Sequence, residues 1–244
     1  MNKKLICLIA VAFCLVGAAA ADTIVFTAVV GDYHTSTSTV GGVHGITVTA
    51  YYYNATTHAW APANLFGRNQ TGDRGVGICS AGETANCGTG TGGGDYNEIS
   101  NELHPETIRL TLPTGYTWGS IQLSSVDTNG GTGNEHGVLY ASQTGIPGPS
   151  GSIGTQVCSF AATGAQTCTT TGGGEPVITV PNNFINSPYL FLEARDLLNP
   201  NNTNNDFLLY SVVINQVQTP EPASLVLLGS GLLGMGSIVR RKLS

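Results

Sequence analysis

Ile46-Thr47-Val48-Thr49-Ala50-Tyr51-Tyr52-Tyr53 places Ile46, Val48 and Ala50 on one side of an extended chain and Thr47 and Thr49 on the other. That is a period of two, the mark of a half-buried strand, and not the 3.6 of an amphipathic helix. Glu106–Leu112 repeats the pattern, with Ile108, Leu110 and Leu112 inward and Arg109 and Thr111 outward. The same reading extends to Thr23–Val30, Trp118–Val126, Gly137–Ser142, Thr155–Phe160, Val177–Val180 and Tyr189–Glu193. Phe207–Val217 is apolar on both faces, as a central strand can be. Between these runs lie turn-forming clusters of Gly, Asn, Thr and Ser at Gly88–Gly94, Asn129–Asn134, Thr169–Gly174 and Asn199–Asn205. The sequence therefore predicts an all-β fold, an antiparallel β-sandwich of jelly-roll form. A β-solenoid would need a fixed repeat period, which is absent.

The ends of the chain are of another kind. Residues 1–21 read as a secretory signal peptide, with Lys3-Lys4 as the positive region, Leu5–Val16 as the apolar stretch and Ala19-Ala20-Ala21 as the cleavage site. Residues 22–218 form the expected extracellular β-domain. Residues 219–244 hold Pro220-Glu221-Pro222, an uncharged apolar span 223–239, and a basic tail 240–244 that starts with Arg240-Arg241-Lys242. As a helix, that span would be roughly 25 Å long, near the thickness of a bilayer core. The cations beyond it favour the cytoplasmic side and leave everything upstream outside.

This order of parts resembles the PEP-CTERM sorting signal of Gram-negative envelope and extracellular proteins. The resemblance implies export across the inner membrane by the Sec machinery, a transmembrane helix before processing, and cleavage by an exosortase, with location in the envelope, at the surface or outside afterwards. Pro220, Glu221, Pro222, Arg240, Arg241 and Lys242 are the residues that carry it. Within the body, Ile46–Tyr51, Gly75-Val76-Gly77-Ile78, Asn97-Glu98-Ile99-Ser100-Asn101 and Glu106–Leu110 follow an order similar to exosortase-dependent surface proteins. That similarity implies a surface-held β-domain associated with adhesion or exopolysaccharide.

Charge narrows the partners. From residue 22 to 222 there are fifteen acidic residues against four arginines, a formal −11, and no lysine lies between Lys4 and Lys242. A nucleic-acid partner would call for a basic surface. Four cysteines remain after the signal peptide: Cys79, Cys87, Cys158 and Cys168. In an oxidising compartment disulfides are their expected state, and of three connectivities the sequence-local Cys79–Cys87 and Cys158–Cys168 are favoured. Their spacings lack the C-x₂-C pattern of zinc sites.

Candidate chemistry is sparse. Asp95–Glu102 is the densest polar stretch, and Glu98, Asn101 and Glu102, together with Asp206, are candidate oxygen ligands for calcium, the alternative being a solvated turn. Glu98 with Glu102 or Glu193 could form a hydrolytic carboxylate pair. The five histidines show no H-E-x-x-H, and there is no G-x-S-x-G elbow. The expectation is a protein that is not an enzyme, with no catalytic residue and no certain cofactor. Tyr51, Tyr52, Tyr53, Trp60, Tyr116 and Trp118 are candidates for stacking on sugars or for core packing; the ligand itself is unknown from the sequence.

Overall fold

A computed structural model describes residues 20–26, 31–32, 35–41, 45–69, 74–80, 98–126, 135–149, 152–161, 167–171, 175–197, 205–217 and 230. The expected signal peptide, up to residue 19, the apolar span and the basic tail lie outside the described residues, apart from Ser230. Among those described, no helix is long and apolar enough to cross a membrane. Residues 21–215 make one compact unit, and residues 1–20 with 216–244 are assigned to another.

The strands are β1 (Ala21–Val25), β2 (Gly31–Asp32), β3 (Thr37–Val40), β4 (Ile46–Asn54), β5 (Ala59–Pro62), β6 (Asn64–Asn69), β7 (Arg74–Cys79) and β8 (Ile99–Ser100). They continue as β9 (Glu106–Thr111), β10 (Tyr116–Ser124), β11 (His136–Ser142), β12 (Thr155–Ala161), β13 (Thr170–Thr171), β14 (Val177–Thr179), β15 (Tyr189–Ala194) and β16 (Asp206–Gln216). A nine-stranded sheet runs β13-β14-β10-β16-β7-β6-β2, with β1 and β8 also pairing with β16. A seven-stranded sheet runs β12-β11-β15-β9-β4-β3, with β5 on β4. The paired strands are antiparallel, as a β-sandwich requires.

The alternation read from the sequence becomes transverse rows of side chains. Val48 lies opposite Leu110, Leu110 opposite Leu190, and Leu190 opposite Ala141. One step along, Ala50, Ile108, Leu192 and Leu139 form a second row. All of these are buried in one core. The nine-stranded sheet meets them with Leu65, Ile78, Ile121, Leu123, Ile178 and the inward side chains of β16. Phe160 stands edge-on to Phe207 across the two sheets, ring centroids 5.1 Å apart. Burying a side chain of this size stabilises by about 1.5–3 kcal/mol, so the rows, together, are the main source of stability.

Two glycines are required by this packing. In β16, Phe207 and Leu209 face the core, but so do Val212 and Ile214, so the strand changes phase between them. Gly75 approaches there with φ +142°, and a Cβ on it would stand 2.3 Å from the Leu209 carbonyl oxygen. Gly137 lies opposite Phe160, whose ring covers the bare backbone, and a Cβ would meet it at 2.2 Å.

Cys158 is bonded to Cys168, with their Cα atoms 4.8 Å apart, as favoured from the sequence. Closing a loop this short stabilises by about 2.5–3 kcal/mol in the chain-entropy picture. Cys79 is likewise a disulfide cysteine, whereas Cys87 lies outside the described residues.

Gly75→Ala and Gly137→Ala should both destabilise the fold, unequally. The Phe160 ring can shift, so Gly137→Ala should cost about 1–3 kcal/mol. The Leu209 backbone cannot, and Gly75 also needs a positive φ, so Gly75→Ala should cost about 3 kcal/mol or more. Urea denaturation midpoints of the two variants check the order.

Candidate functional site

Two regions hold the candidate residues. The first is one end of the sandwich, where β8 meets the start of β16, with Ser100 opposite Asp206 and Ile99 opposite Phe207. Ile99 points into the core. Alternation then turns Glu98 and Ser100 the other way, toward Arg68 on the outer side of β6. Arg68 Nη1 contacts Glu98 Oε1 in an ion pair whose partners are only 8 % and 2 % exposed. Ser125, at φ 58°, donates its hydroxyl to the same oxygen at 3.0 Å. Positive φ is uncommon for serine, and the contact with Glu98 gives it a role here.

The neighbouring polar groups also have partners. Ser100 N donates to Glu106 Oε2 at 2.9 Å, so a fully buried carboxylate at the start of β9 links the two sheets. Asn101 Oδ1 accepts from Asn205 N at 3.0 Å and from Asn205 Nδ2 at 3.3 Å. Asn205 Oδ1 in turn accepts from His136 N at 3.0 Å. Thus the structure brings Glu98, Asn101 and Asp206 to one end, with Asp206 buried and Glu102 half-buried in the turn beside them. A guanidinium occupies the oxygen of Glu98 that a hard cation would seek. Among the described residues no group of three or more His, Cys, Asp or Glu is gathered for a metal.

The second region is the outer face of the seven-stranded sheet. Tyr51 and Tyr53 point outward with Trp60, while Tyr52 packs against the core and lies 5.5 Å from the His104 ring. Tyr53 and Trp60 meet edge-on, centroids 5.4 Å apart and planes at 68°. Each of these two rings thus packs its edge or face against the other. Trp118 is 1 % exposed and donates its indole N–H to Ser187 O at 2.6 Å. Tyr116 is half-buried beside Asp22.

Arg109 lies between the rings of Tyr51 and Tyr189, 5.6 Å from each centroid. It donates to Thr49 Oγ1 at 2.9 Å and to Gly145 O. Trp60 donates to Gly148 O. These two contacts fasten residues 143–149 over a second apolar cluster of Val138, Tyr140, Ile153 and Phe191. Inside it Tyr140 Oη donates to Glu193 Oε2 at 3.1 Å, and Arg195 stands 4.0 Å from the other oxygen of Glu193. Burial, then the Glu193 charge and its hydrogen bond, push the Tyr140 hydroxyl well above its ordinary value near 10. Burial also raises Tyr51, with Arg109 opposing it.

Glu98 and Glu193 thus have separate sets of partners, Arg68 and Ser125 for the first and Tyr140 and Arg195 for the second. Arg68, Arg195 and Tyr140 were not singled out in the sequence. The signal available was the shortage of cations, which means that a buried acid must find one of very few partners.

The sorting residues Pro220, Glu221, Pro222, Arg240, Arg241 and Lys242 lie outside the described residues. Residues 218–242 match the family model of the PEP-CTERM protein-sorting motif. Neither a curated protein nor a solved structure matches the chain.

Removing one partner of a buried pair leaves an uncompensated charge. Arg68→Met should therefore cost about 3–5 kcal/mol, and Arg68→Met with Glu98→Leu should recover most of that; denaturation of the three proteins gives the cycle. The raised hydroxyls also fix a pH dependence. Above about pH 10 the unfolded tyrosines ionise and the folded ones do not, so Tyr140 and Tyr51 contribute stability that is lost as pH climbs through their folded values. Tyr140→Phe should flatten the alkaline slope of the melting temperature.

Proposed function

We propose that this protein is an exported, non-catalytic β-sandwich of the cell surface or extracellular matrix of a Gram-negative bacterium, cut by an exosortase at its C-terminal signal. One observation carries the reading: the PEP-CTERM motif at residues 218–242. The motif implies an exosortase as processing partner and a location in the envelope or at the surface.

Several features support the division of labour. A leader at 1–21 delivers the chain to the export machinery, and the span 223–239 with its basic tail holds it in the membrane until cleavage. Cleavage after Ala21 would leave Asp22–Val25 paired with β16, so the mature amino end would start inside a strand. A local disulfide at Cys158–Cys168 suits an oxidising compartment. The non-catalytic assignment rests on the chemistry of the candidate carboxylates: Glu98 is matched to Arg68 and Glu193 to Tyr140 and Arg195, which are structural pairings.

The test is processing in the native host. Wild-type protein recovered from the envelope and medium should begin near Asp22 and end near Glu221 by intact mass. Replacing Pro220-Glu221-Pro222 by three alanines should leave the apolar span attached; an unchanged mature C-terminus in that mutant would refute the reading.

A further inference from the structure

We infer that an open hollow at the end of the sandwich opposite the Glu98–Arg68 pair binds a neutral sugar unit of an extracellular polysaccharide. The inference rests on the surface location proposed above. The hollow has a volume of about 470 Å³ and is lined by Ser142, Thr144, Ser152, Thr155, Asn183 and Ser187, with Phe184 and Ile153 as its apolar residues. That volume falls in the range of small-molecule sites, roughly 300–1,000 Å³.

The lining selects the ligand class by exclusion. Among the described residues, no charged side chain lines the hollow. An ion, a phosphate or a uronate placed there would lose water and gain no counter-charge. An apolar ligand would cover hydroxyl and amide groups without satisfying them. A neutral polyol does neither. Its hydroxyls donate and accept, as do those of serine and threonine, and an asparagine side chain supplies both a donor and an acceptor. Phe184, half-buried and packed in part on the core, is the aromatic residue among the described lining.

The site is also held in shape. Its residues come from the end of β11, the start of β12 and the turn 181–187 before β15. Phe184 N donates to Pro181 O at 2.8 Å and Ser187 N to Phe184 O at 2.9 Å, which closes the turn. The indole of the buried Trp118 pins Ser187 O from below. Ser142 Oγ donates to Thr144 O at 2.8 Å and accepts from Thr144 N at 3.1 Å, so the turn that presents Thr144 is fixed too. Thr144, Ser152, Thr155 and Asn183 remain exposed and within reach of a ligand. Because the hollow is open, a sugar in it could be one unit of a longer chain.

The experiment is saturation-transfer NMR on the full-length chain in detergent micelles. The probes are the neutral disaccharides maltose, cellobiose, laminaribiose and chitobiose, with digalacturonate as the charged comparison. At least one neutral disaccharide should bind with Kd on the order of 1 mM. Asn183→Ala with Thr155→Val, both at exposed positions, should weaken it about tenfold, the loss of one or two hydrogen bonds. Any of three results overturns the inference: no transfer to any neutral disaccharide, equal or tighter binding of digalacturonate, or undiminished binding by the double variant. None of these bears on processing, since the mature mass reports that separately.

Discussion

The buried ion pair of Arg68 and Glu98 shows the constraint under which this chain folds. Fifteen acidic residues share four arginines between residues 22 and 222. A carboxylate taken out of water needs a cation or a set of hydrogen bonds, and cations are scarce. The fold answers in both ways. Arg68 contacts Glu98, and Arg195 lies near Glu193. Glu106, fully buried, accepts a backbone N–H from Ser100. Arg68 and Glu98 lie thirty residues apart, so this pair, which costs desolvation, also specifies which segments meet at that end of the sandwich, while the other two contacts are local.

How much of this was legible depends on what each strand does. β4, β9, β11 and β15 could be read directly, because each alternates and buries one set of side chains in a common row. β16 was legible from apolarity on both faces, though its change of phase between Leu209 and Val212 was not. β3, β6 and β7 escaped. Thr37-Ser38-Thr39-Val40 is an edge strand held by hydroxyl pairs, Thr37 to Thr49 and Thr39 to Thr47, and a polar edge carries no periodic signal. β6 and β7 contain Gly67, Gly75 and Gly77, which interrupt any alternation of side chains, and the close approach of Gly75 to Leu209 is not encoded locally. The candidate carboxylates were identified as an oxygen-rich stretch; that Glu98 faces a guanidinium follows from a pairing across thirty residues that no local pattern encodes.

The outer face of the seven-stranded sheet is the clearest case of a feature beyond the reach of alternation. Period two labels Arg109, Tyr51 and Glu193 as outward, which suggests solvent. The structure instead adds residues 143–149 across that face, and Arg109 and Trp60 hold them through the carbonyls of Gly145 and Gly148. Outward residues thereby become the walls of a second core, and Glu193 is fully buried within it. A sandwich that covers one outer face has three layers' worth of burial from two sheets. This is why the aromatic side chains of that face pack edge-on with one another and around a guanidinium, and not as a flat open platform.

The use of the arginines also bears on what the exterior can meet. Arg68 is buried, Arg109 lies between two tyrosine rings, and Arg195 leans on Glu193, so Arg74 alone of the four is an exposed side chain. With its cations drawn inward and a formal charge of −11, the domain presents a field that repels polyanions. An uncharged partner meets this surface without the repulsion that a polyanion would feel. The described residues that line the hollow, Ser142, Thr155 and Asn183 among them, carry no charge, on a chain with a large excess of it. Its neutrality is therefore not a general property of the surface, and the selectivity argued for it comes from the contrast between the local lining and the charge of the whole.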